Sequence, residues 1–365
     1  MHTNTSASVS AALSRLVEEA IARNTGWLPF DRFMAMALYA PGLGYYANAG
    51  RKFGLMPSSG SDFVTAPELS PLFGRALGRQ VAQALQATGT DEIWEFGAGS
   101  GALALHLLDA LGEQVGRYTI VDLSASLRER QRECLAGHAA KVRWVDALPD
   151  QLQGVIVGNE VLDAMPVRLL HFNGSAWLER GVVLHEQALA WGDRPTTMSA
   201  PFDDPVAAGT LTEVHMQAEA FIATLADRLT RGAAFFIDYG FPQAEYYHPQ
   251  RSGGTLMCHR AHQVDSDPLV DLGLKDITAH VNFTGIALAG QDAGLHVLGY
   301  LSQARFLMNC GLLELIQGAD ARTTAQVQKL LMEHEMGELF KVIGFSKGAE
   351  FDALGFYSGD RSHTL

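Results

Sequence analysis

The chain has 365 residues, 47% of them hydrophobic, which suffices for one large domain with insertions or for two modest ones. With 27 Lys and Arg against 40 Asp and Glu, it carries a formal charge of −13. That charge argues against nucleic acid or an anionic lipid surface as partner; it suits a cationic partner, but on charge alone the preferred reading is that it only keeps the protein in solution. Cys134, Cys258 and Cys310 lie far apart and make neither a disulfide framework nor a zinc cluster, and no apolar run reaches the length of a membrane span.

The N-terminal stretch "MHTNTSASVSAALSRLVEEAIARNTG" lacks the apolar centre of a secretory signal. It is Ser/Thr-rich like a transit peptide, but Glu18 and Glu19 come early and arginine is sparse. The pattern predicts a short disordered tip and a helix over residues 8–23. With the unpaired cysteines it points to the bacterial cytoplasm, with the mitochondrial matrix as the alternative. Residues 1–90 read as a helical and irregular cap. Its part from residue 26 is rich in Gly, Pro and aromatics and turns helical at Ser70, where Ser-Pro signals an N-cap with proline at the first helical position.

From residue 91, short apolar strands at 92–96, 118–122, 142–145 and 154–158 alternate with helices. Such alternation implies crossover connections and a parallel sheet with helices on both faces. A hairpin insertion over 166–210, centred on Asn173-Gly174, breaks the rhythm. A helix over 211–231 and a buried strand over 233–240 resume it. Residues 241–290 read as a second, irregular insertion. The strands "HVLGYL" and "LFKVIGF" then flank a helical stretch over 302–336, and the core closes near 350 with a tail over 351–365.

Between the first strand and its helix stands "EFGAGSGA", with Gly97, Gly99 and Gly101. A glycine turn lets the backbone approach a ligand, and the helix N-terminus offers free N–H groups. Using Ala102, the stretch fits the dinucleotide fingerprint. It also fits a loop for S-adenosylmethionine, with Glu95 two residues ahead of Gly97. A carboxylate beside the loop repels a pyrophosphate but suits a donor carrying an ammonium and a sulfonium, so Glu95 favours the methyl donor. Asp122, ending "YTIVD", suits the ribose hydroxyls of either ligand or caps the next helix. Asp146, ending "VRWVD", reads as an adenine contact or as a plain loop aspartate.

"FVTAPELSPLFG" (63–74), "EFGAGSG" (95–101), "NEVLDAMPV" (159–167), "IDYG" (237–240) and "DITAHVNF" (276–283) occur in this order. Together they resemble the MidA-like family of S-adenosylmethionine-dependent protein arginine methyltransferases, which includes a mitochondrial complex I assembly factor. The resemblance covers roughly residues 26–346. It implies an α/β class I methyltransferase fold of Rossmann-like type, a seven-stranded mostly parallel sheet with the last strand antiparallel. It also implies methylation of an arginine in a protein substrate such as a complex I subunit. Family members usually read "DITAHVDF", whereas this chain has Asn282.

A guanidinium acceptor is cationic and must be oriented, have its charge localised and lose a proton, and carboxylates suit all three tasks. Glu160 is expected as its main ligand and Asp163 as the second, with Asn159 facing the donor. Asp238, Tyr239 and Asn282 are expected at the substrate, and His280 as a proton shuttle or stacking partner. Thr65 and Glu68, with Asp62 and Phe73, read as a lid over the donor, and the segment 42–62 is expected to be mobile without ligand and to order on donor binding. No metal is expected, and the sequence leaves the oligomeric state open, with a homodimer among the options. The alternatives are a scaffold protein with a vestigial donor site and a methyltransferase for another acceptor.

Overall fold

The computed structural model describes residues 2–48, 64–202, 205–260 and 263–365. Its centre is a sheet of seven principal strands: β1 (Glu92–Phe96), β2 (Arg117–Val121), β3 (Val142–Val145), β4 (Leu152–Asn159), β5 (Leu229–Phe241), β6 (His296–Ser302) and β7 (Phe340–Lys347). Their order is β6-β7-β5-β4-β1-β2-β3. β1 to β5 are mutually parallel, and β7 runs antiparallel to both β5 and β6. This is the architecture that the family resemblance implied. A two-residue strand, Val281–Asn282, adds alongside the end of β5.

Strand alternation divides the core into two layers. Ile93, Val155, Phe235 and Val342 pack against the helices Pro71–Thr88, Ala102–Leu111 and Gln303–Asn309. Trp94, Ile156, Phe236 and Ile343 pack against Met216–Arg228 and Phe283–Asp292. Burial on both faces is why these strands read as continuous apolar runs. Ser70 does cap the helix Pro71–Thr88, its hydroxyl accepting from Leu72 N. The stretch expected to be helical over 302–336 holds three helices, Gln303–Asn309, Leu312–Leu315 and Ala321–Leu331.

Four segments differ from the sequence reading. The N-terminal helix begins at His2, where a disordered tip is expected. The expected helix over 211–231 is a strand, Leu211–Val214, followed by the helix Met216–Arg228. Antiparallel pairing of Leu211–Val214 with Arg168–Phe172 overrides local helix propensity. The first insertion is also more than a hairpin. Its strands Arg168–Phe172, Trp177–His185, Ala188–Pro195 and Leu211–Val214 join the N-terminal Trp27–Pro29 in one five-stranded sheet. That sheet shares a core with the helices His2–Arg23 and Phe30–Tyr39 through Leu13, Val17, Phe33, Leu38 and Val182. Finally, the second insertion contains an antiparallel sheet of Met257–Arg260, Gln263–Asp265 and Asp276–Thr278. Ile277 and Cys258 are buried in the N-terminal core, while Asp276, Thr278 and His280, spaced two apart, turn to a cavity. No helix among the described residues is long and apolar enough to cross a membrane.

Candidate active site

A cavity of about 1120 Å3 opens at the carboxyl edge of the sheet, where ligands of open α/β sheets bind. One end is the glycine turn after β1. Gly97, Gly99 and Gly101 take φ of +63°, +53° and +91°, the left-handed region in which a side chain is strained. A Cβ on Gly97 would stand 2.9 Å from Val161 Cγ2. Gly101 starts the helix Ala102–Leu111 and lies behind the lining.

Beneath the turn, Glu95 is buried and accepts a hydrogen bond from the Tyr118 hydroxyl at 2.7 Å. Burial pushes its pKa up to about 8. Asp122 follows β2 and accepts from Ser124 N and from Gln131 Nε2, each at 2.8 Å. Gln131 Nε2 also donates to Gly99 O at 3.0 Å, so one amide ties the glycine turn to the acid. Ser124, not Asp122, caps the following helix. Leu123, 78% exposed, adds an apolar surface to the lining. Thr65 and Glu68 close this end, and the Ser100 hydroxyl donates to the Glu68 carboxylate.

The other end is acidic and aromatic. β4 runs out at Asn159, whose Nδ2 donates to Glu160 Oε1 at 2.9 Å. Burial first, then the Asp163 charge, pushes the Glu160 pKa up to about 8. Asp163 is 5% exposed, and burial pushes its pKa up to about 6. The Tyr239 hydroxyl donates to Asp163 Oδ2, while Oδ1 has no hydrogen-bond partner among the described residues. Tyr39 and Tyr46 stack with ring centroids 5.6 Å apart, and the Tyr46 hydroxyl donates to Asp276 Oδ2 at 2.8 Å. His280 stands edge-on to Tyr239, centroids 5.2 Å apart. Burial, then Arg251 and Lys341, lowers its pKa to about 4, so the ring is neutral near pH 7.

Four expected residues stand elsewhere. Asp238 is fully buried under the cavity and accepts four backbone N–H groups, so it has no face for substrate. Burial, then Asp163 and Glu160, raises its pKa, while those N–H donors favour its anion. Asn282 is 4% exposed and caps the helix Phe283–Asp292, accepting from Gly285 N. Asp146 is exposed and outside the lining. Phe73 is a core residue, 1% exposed. Asp62 and the expected lid from residue 49 on lie outside the described residues. A second cavity of about 720 Å3 shares no lining residue with the first, and its Arg168 already pairs with Asp31 and Glu179.

A family model for S-adenosyl-L-methionine-dependent methyltransferases matches residues 76–301. The chain belongs to this family. A crystal structure from Burkholderia thailandensis bound to S-adenosyl-homocysteine is 50% identical, with a TM-score of 0.96 over 100% of this chain and 99% of that one. A native structure from the same organism is 49% identical with a TM-score of 0.92, covering 100% of this chain and 99% of that chain. The protein arginine methyltransferase NDUFAF7 of Danio rerio is 27% identical over 375 residues, 90% of this chain and 85% of the relative. The human protein of that name is 26% identical, covering 80% of this chain and 71% of the relative.

This methyltransferase binds S-adenosylmethionine, and the residues present fit it. A Cβ at Gly97 would strike Val161, so glycine there keeps the turn tight beside the cavity, Leu123 presents an apolar face, and Asn159 Oδ1 is buried without a hydrogen-bond partner among the described residues. Sequence reasoning missed Gln131, Tyr39 and Asp276. Gln131 carries no signal, because an interior helix glutamine reads as solvated. Asp276 had one: Asp276, Thr278 and His280 alternate with Ile277 and Ala279 as a strand with one polar face does.

Proposed function

We propose that this methyltransferase acts on an arginine side chain of a protein. The supporting observation is that Glu160 and Asp163, beside the Tyr39–Tyr46 stack, share one cavity with the glycine turn. Carboxylates whose pKa values are raised by burial favour a ligand that brings its own positive charge. A planar guanidinium also stacks on aromatic faces, which a compact ammonium does less well. Relatives named as protein arginine methyltransferases agree with this reading.

The donor supplies a methyl group already activated on a sulfonium, so the protein's task is alignment and proton removal. Gly97 and Gly99 admit the donor, with Gly101 starting the helix behind them, Asp122 takes its ribose hydroxyls, and Glu95 supports the turn from below. Thr65, Glu68 and Asn159 complete its walls. Glu160 is the main guanidinium ligand and Asp163 the second. Tyr239 orients Asp163 through its hydroxyl. The neutral His280 imidazole can accept the proton that must leave the methylated nitrogen.

Peptides containing a single arginine or a single lysine, incubated with methyl-labelled S-adenosylmethionine and analysed by mass spectrometry, test the reading. Label on the arginine side chain is the expected result. Label on lysine, or on a carboxylate, overturns it. The physiological substrate is sought by comparing arginine methylation in cells with and without the gene.

A further inference from the structure

Glu160 has a φ of +54°, in the left-handed region that a side chain strains. The other described non-glycine residues with positive φ are Thr25, Glu186, Gln187 and Asp271, all exposed. Glu160 alone among them faces the cavity, at the point where β4 ends. Strain at such a place persists only if the surroundings over-determine it.

The grip is visible. The last ladder pair between β4 and β5 is Asn159 with Ile237. Glu160 N donates to Ile237 O at 2.8 Å. Past that point the sheet offers no further partner, and the next three amides turn to one atom. Val161 N, Leu162 N and Asp163 N reach Asp238 Oδ2 at 3.1, 2.8 and 3.3 Å. Asp238 Oδ1 accepts Tyr239 N at 2.9 Å, which fixes the carboxylate on its own strand. The next side chain, Tyr239, holds Asp163 at the far end of the same turn.

The structure assigns Asp238 as a positioning residue that holds the turn 160–163 so that Glu160 keeps its strained backbone and points its carboxylate into the cavity. Asp238 meets neither donor nor acceptor. The assignment rests on the reading of Glu160 as acceptor ligand.

Asp238→Asn preserves shape but replaces one accepting oxygen with an NH2 group that cannot accept. Turnover of an arginine peptide is expected to fall about tenfold or more, because a small misplacement of an acceptor ligand is expensive. Donor affinity, by calorimetry, stays within about twofold, because the glycine turn is untouched. In a Glu160→Gln background Asp238→Asn lowers kcat no further, since the effect passes through Glu160. A second cycle reads thermal unfolding alone. Glu160→Gly places the residue suited to that φ, so Asp238→Asn lowers Tm less in that background than in the native chain. Should Asp238→Asn fail to fold, restoration of folding by added Glu160→Gly supports the assignment, and failure of both overturns it. If Asp238→Asn keeps full kcat while Glu160→Gln is inactive, the positioning role falls and the acceptor reading stands. If Glu160→Gln itself keeps full turnover, that reading falls, and equal Tm losses in the two backgrounds overturn the grip as well.

Discussion

The donor end of the cavity comes mainly from residues 95–131, whose groups satisfy one another over short range. Gln131 bridges Gly99 and Asp122, Asp122 holds Ser124, and Tyr118 holds Glu95. The acceptor end gathers Tyr39, Tyr46, Glu160, Asp163, Tyr239, Asp276 and His280 from distant stretches. There, hydrogen bonding is left incomplete: Asp163 Oδ1 and His280 Nδ1 are buried without partners among the described residues. One end is a preformed mould defined by backbone shape. The other is an electrostatic vacancy, which under the proposed function the substrate's guanidinium completes. Substitutions should therefore separate the two.

The largest effect is expected at the mould. Gly99→Val puts a β-branched residue at φ +53°. Strain and lost space together cost about 4 kcal/mol, close to a thousandfold in donor affinity. Calorimetry with S-adenosylmethionine measures it, and near-native affinity would show that the turn does not shape the donor site. NAD serves as a control and should give no heat.

Next comes the acceptor end. Glu160→Gln should lower kcat about a hundredfold, the scale of one positioned acid–base or charge-stabilising group. Donor affinity should move by less than about threefold, because Glu160 contributes charge to the acceptor and no wall to the glycine turn. Equal losses of donor binding and turnover would erase the distinction between the ends. A scaffold protein would show neither loss in its assembly function.

The contrast explains what could be read from sequence. Helix packing on both faces makes the core strands continuous apolar runs, and the donor mould is local, so Gly97, Glu95 and Asp122 stand within one readable stretch. Glu160 and Asp163 were readable through position after β4. Asp238 reads as a substrate ligand because an acid at a strand's end looks the same in sequence whether it faces ligand or, as here, backbone amides. Asp276 was missed because its partner Tyr46 lies in another segment, and only the fold brings the two together. The N-terminal cap and first insertion read separately because each half of their shared core is too small to announce itself.

A smaller effect follows pH. Glu95 and Glu160 have pKa values near 8 in the folded chain, above the ordinary 4.5. The folded state then binds more protons, so stability falls as pH rises from about 4.5 through 8. Without ligands, Tm should drop by about 3–6 °C between pH 6 and pH 8.5 from these groups. A bound arginine peptide favours the Glu160 anion, so it should flatten that slope and release protons on binding near pH 7. Buffers of different ionisation enthalpy reveal the release in calorimetry. An unchanged Tm slope with peptide bound would place the cation elsewhere.

The smallest effect is expected where the chain departs from its family's usual motif. Asn282 replaces an acid that the motif places among candidate substrate ligands, but it sits 4% exposed at a helix start and accepts from Gly285 N. Asn and Asp cap helices about equally well, whereas Ala loses the acceptor. Asn282→Asp should thus leave kcat and KM within about twofold, the scatter of a substitution that keeps its hydrogen bond. Asn282→Ala should lower stability by about 1 kcal/mol with kcat for the arginine peptide retained, because a cap supports the fold and not the chemistry. Paired measurements of unfolding and of KM decide the matter. A KM for arginine peptide that falls tenfold in Asn282→Asp would return this position to the acceptor end and extend the electrostatic vacancy past His280. An unmoved KM confines that vacancy to the carboxylates around Glu160.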